Sequence, residues 1–490
     1  MHNKNNSTLS LVLMIFISLV TQIVTLLKSS IVAGYFGTSS DMDAYNFAYS
    51  IVAFVFGFIA SAISTVVIPS YIQKKEHEIN SFITILYGLL VAVILFIILF
   101  RIQIIELLTN RGTEFSNIAG NVLIILLLSN FVLAITNITT AYYQCIEKYN
   151  IPKVINLLSQ IIVVVILAVL KNITIYQYAV VLSVGIIINF IIDVGIAIKL
   201  GWKYIPTFDF SAQSKHLFKL FLPIVMSTGV YKLSLMVDST IASRLEEGKI
   251  TVLTYSGQIA TMVNSILIGN LLTFIYPKIV KRINNDDNQE LFWKQTSFFH
   301  LIVCAVIVGF YSVGKEGIAL FFQHGRFDYN STLAVYYASL IYITGQQTNI
   351  IRDLVYRFFY AKGDTQTAAK NSVLVSVVNI TASFILVYII GFYGIVIGTV
   401  LASFVSLVSI LIKFDRLIGY SVKLVDIITP YFLNLVVAIL TAIIMMISKS
   451  CIPITSNLLS VFVYGGESMI IYILLSMVFR KKVISALRYL

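Results

Sequence analysis

The sequence predicts an all-α polytopic membrane protein. About 14 transmembrane helices are expected, arranged as two parallel six-helix repeats (an N-lobe and a C-lobe) around a central cavity, with two further C-terminal helices. Three observations predict this. Of 490 residues, 58% are hydrophobic and 11% charged, with a mean hydropathy of +0.92, a balance foreign to soluble domains. Apolar runs of about 20 residues, the length that crosses a bilayer core, recur from end to end. Stretches of the first half also match stretches of the second, in the same order and at nearly one offset.

The apolar pattern marks fourteen segments: 8–36, 42–73, 80–101, 115–145, 152–170, 177–199, 216–244, 250–280, 292–313, 331–361, 367–388, 392–414, 425–447 and 455–479. Several exceed the length of one crossing, which tilting, bending or extension past the headgroups accommodates. The first run begins near Ser10 and lacks a small-x-small cleavage site, so a retained helix is expected rather than a signal peptide. No connecting loop exceeds about twenty residues, and no soluble domain or low-complexity tract is apparent. Cys145, Cys304 and Cys451 stand far apart and offer neither a metal spacing nor a disulfide framework.

Lysine and arginine counts set the orientation. With the N-terminus inside, the inner segments hold 22 of the basic residues, the outer segments 8, and four lie within spans: Lys28, Lys232, Arg352 and Arg357. That bias places both termini in the cytoplasm. It also accounts for the net charge of +12 as basic loops facing an anionic leaflet, without any nucleic acid partner.

The internal repeat rests on three ordered matches. "LLKSSIVAGYFGTSSDMDAYNF" from Leu26 lies on "MVDSTIASRLEEGKITVLTYSG" from Met236 at an offset of 210. "VVIPSYIQKK" resembles "TFIYPKIVKR", pairing Pro69 with Pro277, and "LLTNRGTEF" resembles "LFFQHGRFD", pairing Gly112 with Gly325 at an offset of 213. Six spans separate corresponding points, an even number, so the repeats share one orientation. Transporters built this way hold substrate between halves that rock. The expected division is 1–214 for spans 1–6, 215–424 for spans 7–12, and 425–490 for spans 13 and 14 with a cytoplasmic tail.

Chemistry is carried by polar faces within the spans. In "TQIVTLLKSSIV", Lys28 sits some twenty residues into an apolar helix, where a lysine costs about 2.5–3.5 kcal/mol on insertion scales. At 100° per residue, Ser18, Thr21, Gln22, Thr25, Lys28 and Ser29 share a 120° sector. That face must look into protein or water, unless Lys28 snorkels to the interface. The seventh span repeats the design with Thr228, Tyr231, Lys232, Asp238 and Ser239. In the tenth, Gln346, Asn349, Arg352, Asp353, Tyr356, Arg357 and Tyr360 lie on one side. Asp353 and Arg357, four apart, are placed to pair, while Arg352 lacks an obvious local partner. The cations Lys28, Lys232 and Arg352 favour an anionic ligand such as a diphosphate. Asp43, Asp193 and Asp238 are candidates for a coupling cation or proton. Asp43 is also placed to cap the second helix, and Asp193, near a helix end, to serve structure.

Enzyme signals fail. "GFYSVGKE" from Gly309 imitates a phosphate loop, but Glu316 stands where Ser or Thr is required and no strand precedes it. No HExxH occurs, no cofactor or metal is implied, and the short loops argue against a glycan polymerase or ligase. Gly394 and Gly398 form a GxxxG pair expected to report close helix packing.

"SSIVAGYFGTSSDMDAYNFAYSI", "LFFQHGRFD" and "YRFFYAKGDTQT" resemble the MurJ/MviN family, fourteen-span flippases of the multidrug/oligosaccharidyl-lipid/polysaccharide exporter superfamily. Phe359 to Thr365 is the most specific stretch, and the resemblance covers nearly the whole chain. It implies export of an undecaprenyl-diphosphate-linked glycan across a bacterial cytoplasmic membrane by alternating access. Where the family carries cavity arginines, this chain has Lys28, Gln22 and, in the eighth span, Gln258. The arginine pair of the family's second span is missing from "SIVAFVFGFIASAIS", and the family's aspartate there matches Asp43. A capsular or exopolysaccharide repeat unit fits this weaker cationic lining as well as a cell-wall precursor does, or better. The substrate set implied is Lys28, Lys232, Arg352, Gln22, Thr25, Gln258 and Asn349. Spans 13 and 14 correspond to a groove for the polyprenyl tail. The rival readings are a cation-coupled multidrug antiporter of the same superfamily, a membrane-embedded glycan-assembly enzyme and a non-transporting scaffold.

Overall fold

The computed structural model describes residues 2–57, 59, 63, 66–68, 71, 76–209, 212–265, 289–362 and 364–479, and no β-strand occurs among them. The described residues form fifteen α-helices. In chain order they are α1 (His2–Phe36), α2 (Ser40–Phe56), α3 (Glu76–Leu99), α4 (Arg101–Leu108), α5 (Gly112–Cys145), α6 (Asn150–Val169), α7 (Ile175–Lys199) and α8 (Ala212–Ser243). They continue with α9 (Lys249–Val263), α10 (Gln289–Phe322), α11 (Tyr329–Ala361), α12 (Gln366–Ile390), α13 (Tyr393–Leu417), α14 (Leu424–Cys451) and α15 (Asn457–Phe479).

Each of the fourteen expected segments holds one of these helices, and α4 is the addition. Ten are long and apolar enough to cross a membrane: α1 from Phe16, α3, α5, α6, α7, α10, α12, α13, α14 and α15. The other four segments hold α2, α8, α9 and α11. Of these, α8 and α11 have ample length, 32 and 33 residues, but their polar faces lower the apolar content. The ends of the second and eighth segments, the Pro69–Pro277 match and the tail from 480 lie outside the described residues.

The chain divides into two compact units, Met1–Thr251 and Val252–Leu490. In the first, α1 packs along α6, α2 packs against α5 and α8, and α5 against α7. In the second, α10 packs against α11, α14 and α15, α11 against α13, and α12 against α13. The break falls after α8 because α8 packs on α2 and α3. A duplication boundary records sequence and a packing boundary records contacts, so the division at 214/215 is a separate matter. Gly112 and Gly325, matched by the repeat, both adopt positive φ, +82° and +59°. That conformation favours glycine, and each lies just ahead of or at the start of a long helix.

One core cluster of the second unit is rich in aromatics: Phe292, Trp293, Phe358, Phe359 and Phe414 from α10, α11 and α13 are buried together. The GxxxG pair does report close packing. A Cβ on Gly398 would lie 2.8 Å from the Ser383 backbone nitrogen, and one on Gly394 would lie 2.4 Å from the Leu386 carbonyl. Gly398→Ala is therefore expected to force α12 and α13 apart and cost about 1–3 kcal/mol. A lowered thermal midpoint of the purified protein would report it. Gly309→Ala, with nothing within 4 Å of the added carbon, is the control that should not move.

The stretch from Phe359 to Thr365 owes part of its form to Asp364. Its Oδ1 accepts from the Thr367 N–H at 3.0 Å, its Oδ2 accepts from the Thr367 hydroxyl at 2.6 Å, and its own N–H donates to the Phe359 carbonyl at 2.9 Å. The carboxylate thus closes the turn from α11 and satisfies an orphan donor of α12. These Thr367 hydrogen bonds hold its pKa below the ordinary carboxylate value. A depressed pKa contributes stability that is complete above the unfolded value near 4 and lost as pH falls through the folded value. Asp364→Ala is expected to cost about 1 kcal/mol, and the difference from wild type should shrink in thermal melts taken below about pH 4.

Candidate functional site

The two sides of α1 are sorted as its residue pattern requires. Phe16, Ile23 and Leu27 are 62%, 55% and 44% exposed and share one side, suited to lipid. Ser18, Thr21, Gln22, Thr25 and Lys28 occupy the opposite side and are half-buried. The hydroxyls of Ser18, Thr21 and Thr25 each donate to the carbonyl four residues back, at 2.8 Å. Their protons are engaged within the helix, and their lone pairs face outward.

Lys28 donates from Nζ to Oε1 of Gln160 on α6 at 3.1 Å. Lys153, also on α6, donates to Oγ of Ser18 at 3.0 Å. Neither α6 residue stands among the candidates read from the sequence. The readable signal was their spacing, since seven residues put both on one face of α6. Lys232 on α8 is half-buried, with Nζ 5.9 Å from the Tyr231 ring centroid. Its stem packs over Gly57, where an added Cβ would lie 2.8 Å from Cγ and Cε. Among the described residues, no carboxylate lies within ion-pair distance of Lys28, Lys153 or Lys232.

Asp43 has a different position from the capping role. Ser39 caps α2, its side chain accepting from the Met42 N–H at 3.4 Å. Asp43 instead accepts four hydrogen bonds. Oδ1 takes the Thr251 N–H at 2.8 Å and the Thr251 hydroxyl at 2.7 Å, while Oδ2 takes the Gly248 N–H at 2.8 Å and Arg111 at 3.1 Å. Arg111 also donates to the carbonyls of Ser243 and Glu246, each at 2.8 Å. Asp43 is fully buried, and the Arg111 side chain is 12% exposed. The result is a clasp tying the start of α2 to the turn between α8 and α9. Gly248 (φ +86°) passes so close to Thr38 that a Cβ would lie 2.6 Å from its carbonyl oxygen. Arg111 was absent from the sequence-derived set because loop arginines on the expected outer side carry no local mark of their partner.

The other carboxylates are also internal. Asp193 is buried between α5 and α7, accepting from the Thr139 hydroxyl, with Tyr143 donating to its carbonyl at 2.6 Å. Asp238 is buried on α8.

In the second unit, α11 carries its own polar face. Asn349 and Asn264 both donate to Oε1 of Gln346, at 3.4 and 3.1 Å. The expected ion pair is corrected here. Arg352, not Arg357, bonds Asp353, with Nε at 3.0 Å and a terminal nitrogen at 2.9 Å from Oδ1. Neighbouring helical positions diverge, but the arginine is long enough to turn back, and its guanidinium lies 5.6 Å from the Tyr356 ring centroid. Arg352 therefore has a local partner, and Lys28 and Lys232 do not share that neutralisation. Gln258 on α9 is exposed.

Residues 32–465 match the family described as lipid II flippase MurJ. The chain belongs to the MurJ family. Its members are flippases, transporters rather than enzymes, and multi-pass membrane proteins. A probable lipid II flippase MurJ of Rickettsia prowazekii is 22% identical over 419 residues, covering 81% of each chain. One of Helicobacter pylori is 25% identical over 191 residues, 38% of this chain. That match spans 41% of the Helicobacter protein. The solved lipid II flippase MurJ in an inward closed conformation superposes with a TM-score of 0.80 at 20% identity, covering 96% of this chain and all of the other. An inward-facing multidrug resistance MATE transporter of the MOP superfamily gives 0.64 at 13% identity, covering 82% of this chain and 96% of its own. The fold is thus that of the superfamily, with MurJ the better fit of these two.

Proposed function

We propose that the chain translocates an undecaprenyl-diphosphate-linked glycan from the inner to the outer leaflet of a bacterial cytoplasmic membrane by alternating access. One observation carries the proposal. Lys28 is held inside an apolar helix by a neutral amide, with no carboxylate in range among the described residues. A cation desolvated without a counter-charge is costly, and a diphosphate supplies the counter-charge while bound. Lys232 is the second such cation. Gln22, Thr25, Gln258 and Asn349 line the glycan's way, and Arg352, already paired, serves as a helper at most. The repeats 1–214 and 215–424 are the moving bodies, with 425–490 beside them for the polyprenyl tail. Both termini lie in the cytoplasm.

On that orientation the Asp43 clasp sits at the outer end. It joins the start of α2 to the turn ahead of α9, all within Met1–Thr251, so movement of the second repeat away from the first would break it. Asp43 and Asp238 are the leading carboxylates for a coupling cation or proton, and Asp193, bonded within its own unit, follows them.

The relatives' names support the peptidoglycan precursor lipid II as substrate. A capsular or exopolysaccharide precursor is favoured instead by residues 50–64, which hold no arginine. Expression in two strains, one depleted of its lipid II flippase and one lacking a capsule-unit flippase, separates these. Growth of the first supports the cell-wall reading, and capsule restored in the second alone supports the other. Rescue of neither, with resistance to cationic drugs gained, would replace the proposal with the antiporter reading.

A further inference from the structure

We propose that Lys153 on α6 forms a second anion station, which holds the diphosphate head of the substrate before it reaches Lys28. This rests on the flippase reading above and adds to it a site and an order of events. The contacts between α1 and α6 make a ladder whose partners rise together. Ser18 meets Lys153 at 3.0 Å, Lys28 meets Gln160 at 3.1 Å, and the Tyr35 hydroxyl donates to the Leu167 carbonyl at 3.2 Å. The two helices therefore run parallel, with Lys153 near the end that the charge count places in the cytoplasm. Ten residues separate Ser18 from Lys28, a rise of about 15 Å. On α6 the two rungs, Lys153 and Gln160, stand seven residues apart, a rise of about 10 Å, so the two lysines occupy successive levels of the seam and act in turn.

The partners of the two lysines suit a transient ligand. Each ammonium is held by one neutral oxygen, an amide in one case and a hydroxyl in the other. A phosphate oxygen displaces either with a gain, because it brings an opposing charge to an ammonium that burial has partly stripped of water. Other lysines show what a carboxylate partner looks like in this chain. Lys249 bonds Glu246 at 3.1 Å, Lys294 bonds Glu290 at 2.6 Å and Lys449 bonds Glu316 at 2.9 Å. Arg111, fixed by Asp43 and two carbonyls, shows what a cation with a fixed structural role looks like here. At the α1–α6 seam both lysines are held by neutral oxygens instead. Both are half-buried, reachable by a ligand yet shielded enough for charge to matter.

The experiment uses the full chain, purified and reconstituted, with undecaprenyl diphosphate as probe and undecaprenol as its uncharged comparator. Lys153→Met keeps the stem and removes the charge, Lys153→Arg keeps the charge, and Lys153→Gln keeps a hydrogen-bond donor without charge. The expected result is about tenfold weaker diphosphate binding for Met and Gln, retention for Arg, and unchanged undecaprenol binding in all. In proteoliposomes Lys153→Met should raise the half-saturating substrate concentration and spare the maximal rate, while Lys28→Met loses the rate itself. Wild-type binding by Lys153→Met, alongside a loss in Lys28→Met, overturns the station and leaves the flippase reading standing. Restoration of binding by Lys153→Gln also overturns it, since a strut to Ser18 would then suffice. Wild-type diphosphate binding by both Met variants removes the flippase reading as well.

Discussion

Replacing Lys28 with methionine is expected to reduce transport by roughly 10- to 100-fold, the equivalent of about 1.5–3 kcal/mol for a hydrogen bond to a charged group. The protein should still accumulate in the membrane at wild-type level. The two halves of this expectation come from one physical fact. A lysine within a spanning helix opposes insertion by about 2.5–3.5 kcal/mol, so its removal favours the fold while it deprives the ligand of its counter-charge. Loss of Gln160 as a partner leaves a neutral amide beside half-buried hydroxyls, a modest defect. Complementation of a flippase-depleted strain, with membrane abundance measured in the same cells, reads both halves. Lys28→Arg should retain most activity because it keeps the charge at the same level of α1.

Substitution of Asp43 should act in a different way. Its four donors include the guanidinium of Arg111. Removing one partner of a buried, hydrogen-bonded pair typically costs about 3–5 kcal/mol. Asparagine is not a harmless replacement. Its oxygen can serve Thr251, but its amide would then face the Gly248 N–H and Arg111, donor against donor. Asp43→Asn is therefore expected to loosen the turn between α8 and α9 and to lower transport. A cysteine placed at Ser40, whose N–H donates to Glu247 at 2.6 Å, should become reactive toward a membrane-impermeant thiol reagent applied outside. The native cysteines, including the exposed Cys451, are first replaced. Arg111→Gln should show the same reactivity in weaker form, because Gly248 and Thr251 still hold Asp43.

The sequence made some of this legible and hid the rest for identifiable reasons. The polar face of α1 was readable because a single helix fixes the angles between Ser18, Thr21, Thr25 and Lys28, and the structure places Phe16, Ile23 and Leu27 opposite them. The helix positions were readable from apolar runs, and the close approach at Gly394 and Gly398 from the absence of side chains. Contacts between distant segments were not. Gln160 meets Lys28 and Lys153 meets Ser18 only because α1 and α6 lie side by side, which no local pattern encodes. Asp43 looked like a cap because it sits in the first turn of α2, yet Ser39 is better placed and leaves the aspartate free to receive a loop some two hundred residues away. Asp353 lay four residues from Arg357, the favourable helical spacing, and the neighbouring Arg352 reached it first by folding back. Of the four expected spans outside the ten that are long and apolar enough, α8 and α11 carry the charges and amides that lower their apolar content, and the described helices α2 and α9 run to 17 and 15 residues.

The most direct measurement places a photoreactive amino acid at Thr25, on the polar face of α1, and in a second protein at Ile23, on the apolar face. Each is irradiated in membranes containing head-labelled undecaprenyl-diphosphate-linked glycan. Capture of the label at position 25, suppressed by excess unlabelled lipid and by the additional Lys28→Met change, with only background capture at position 23, is the predicted result. Equal capture at the two positions, or capture at 25 that persists without the lysine, would contradict a route along the charged face of α1.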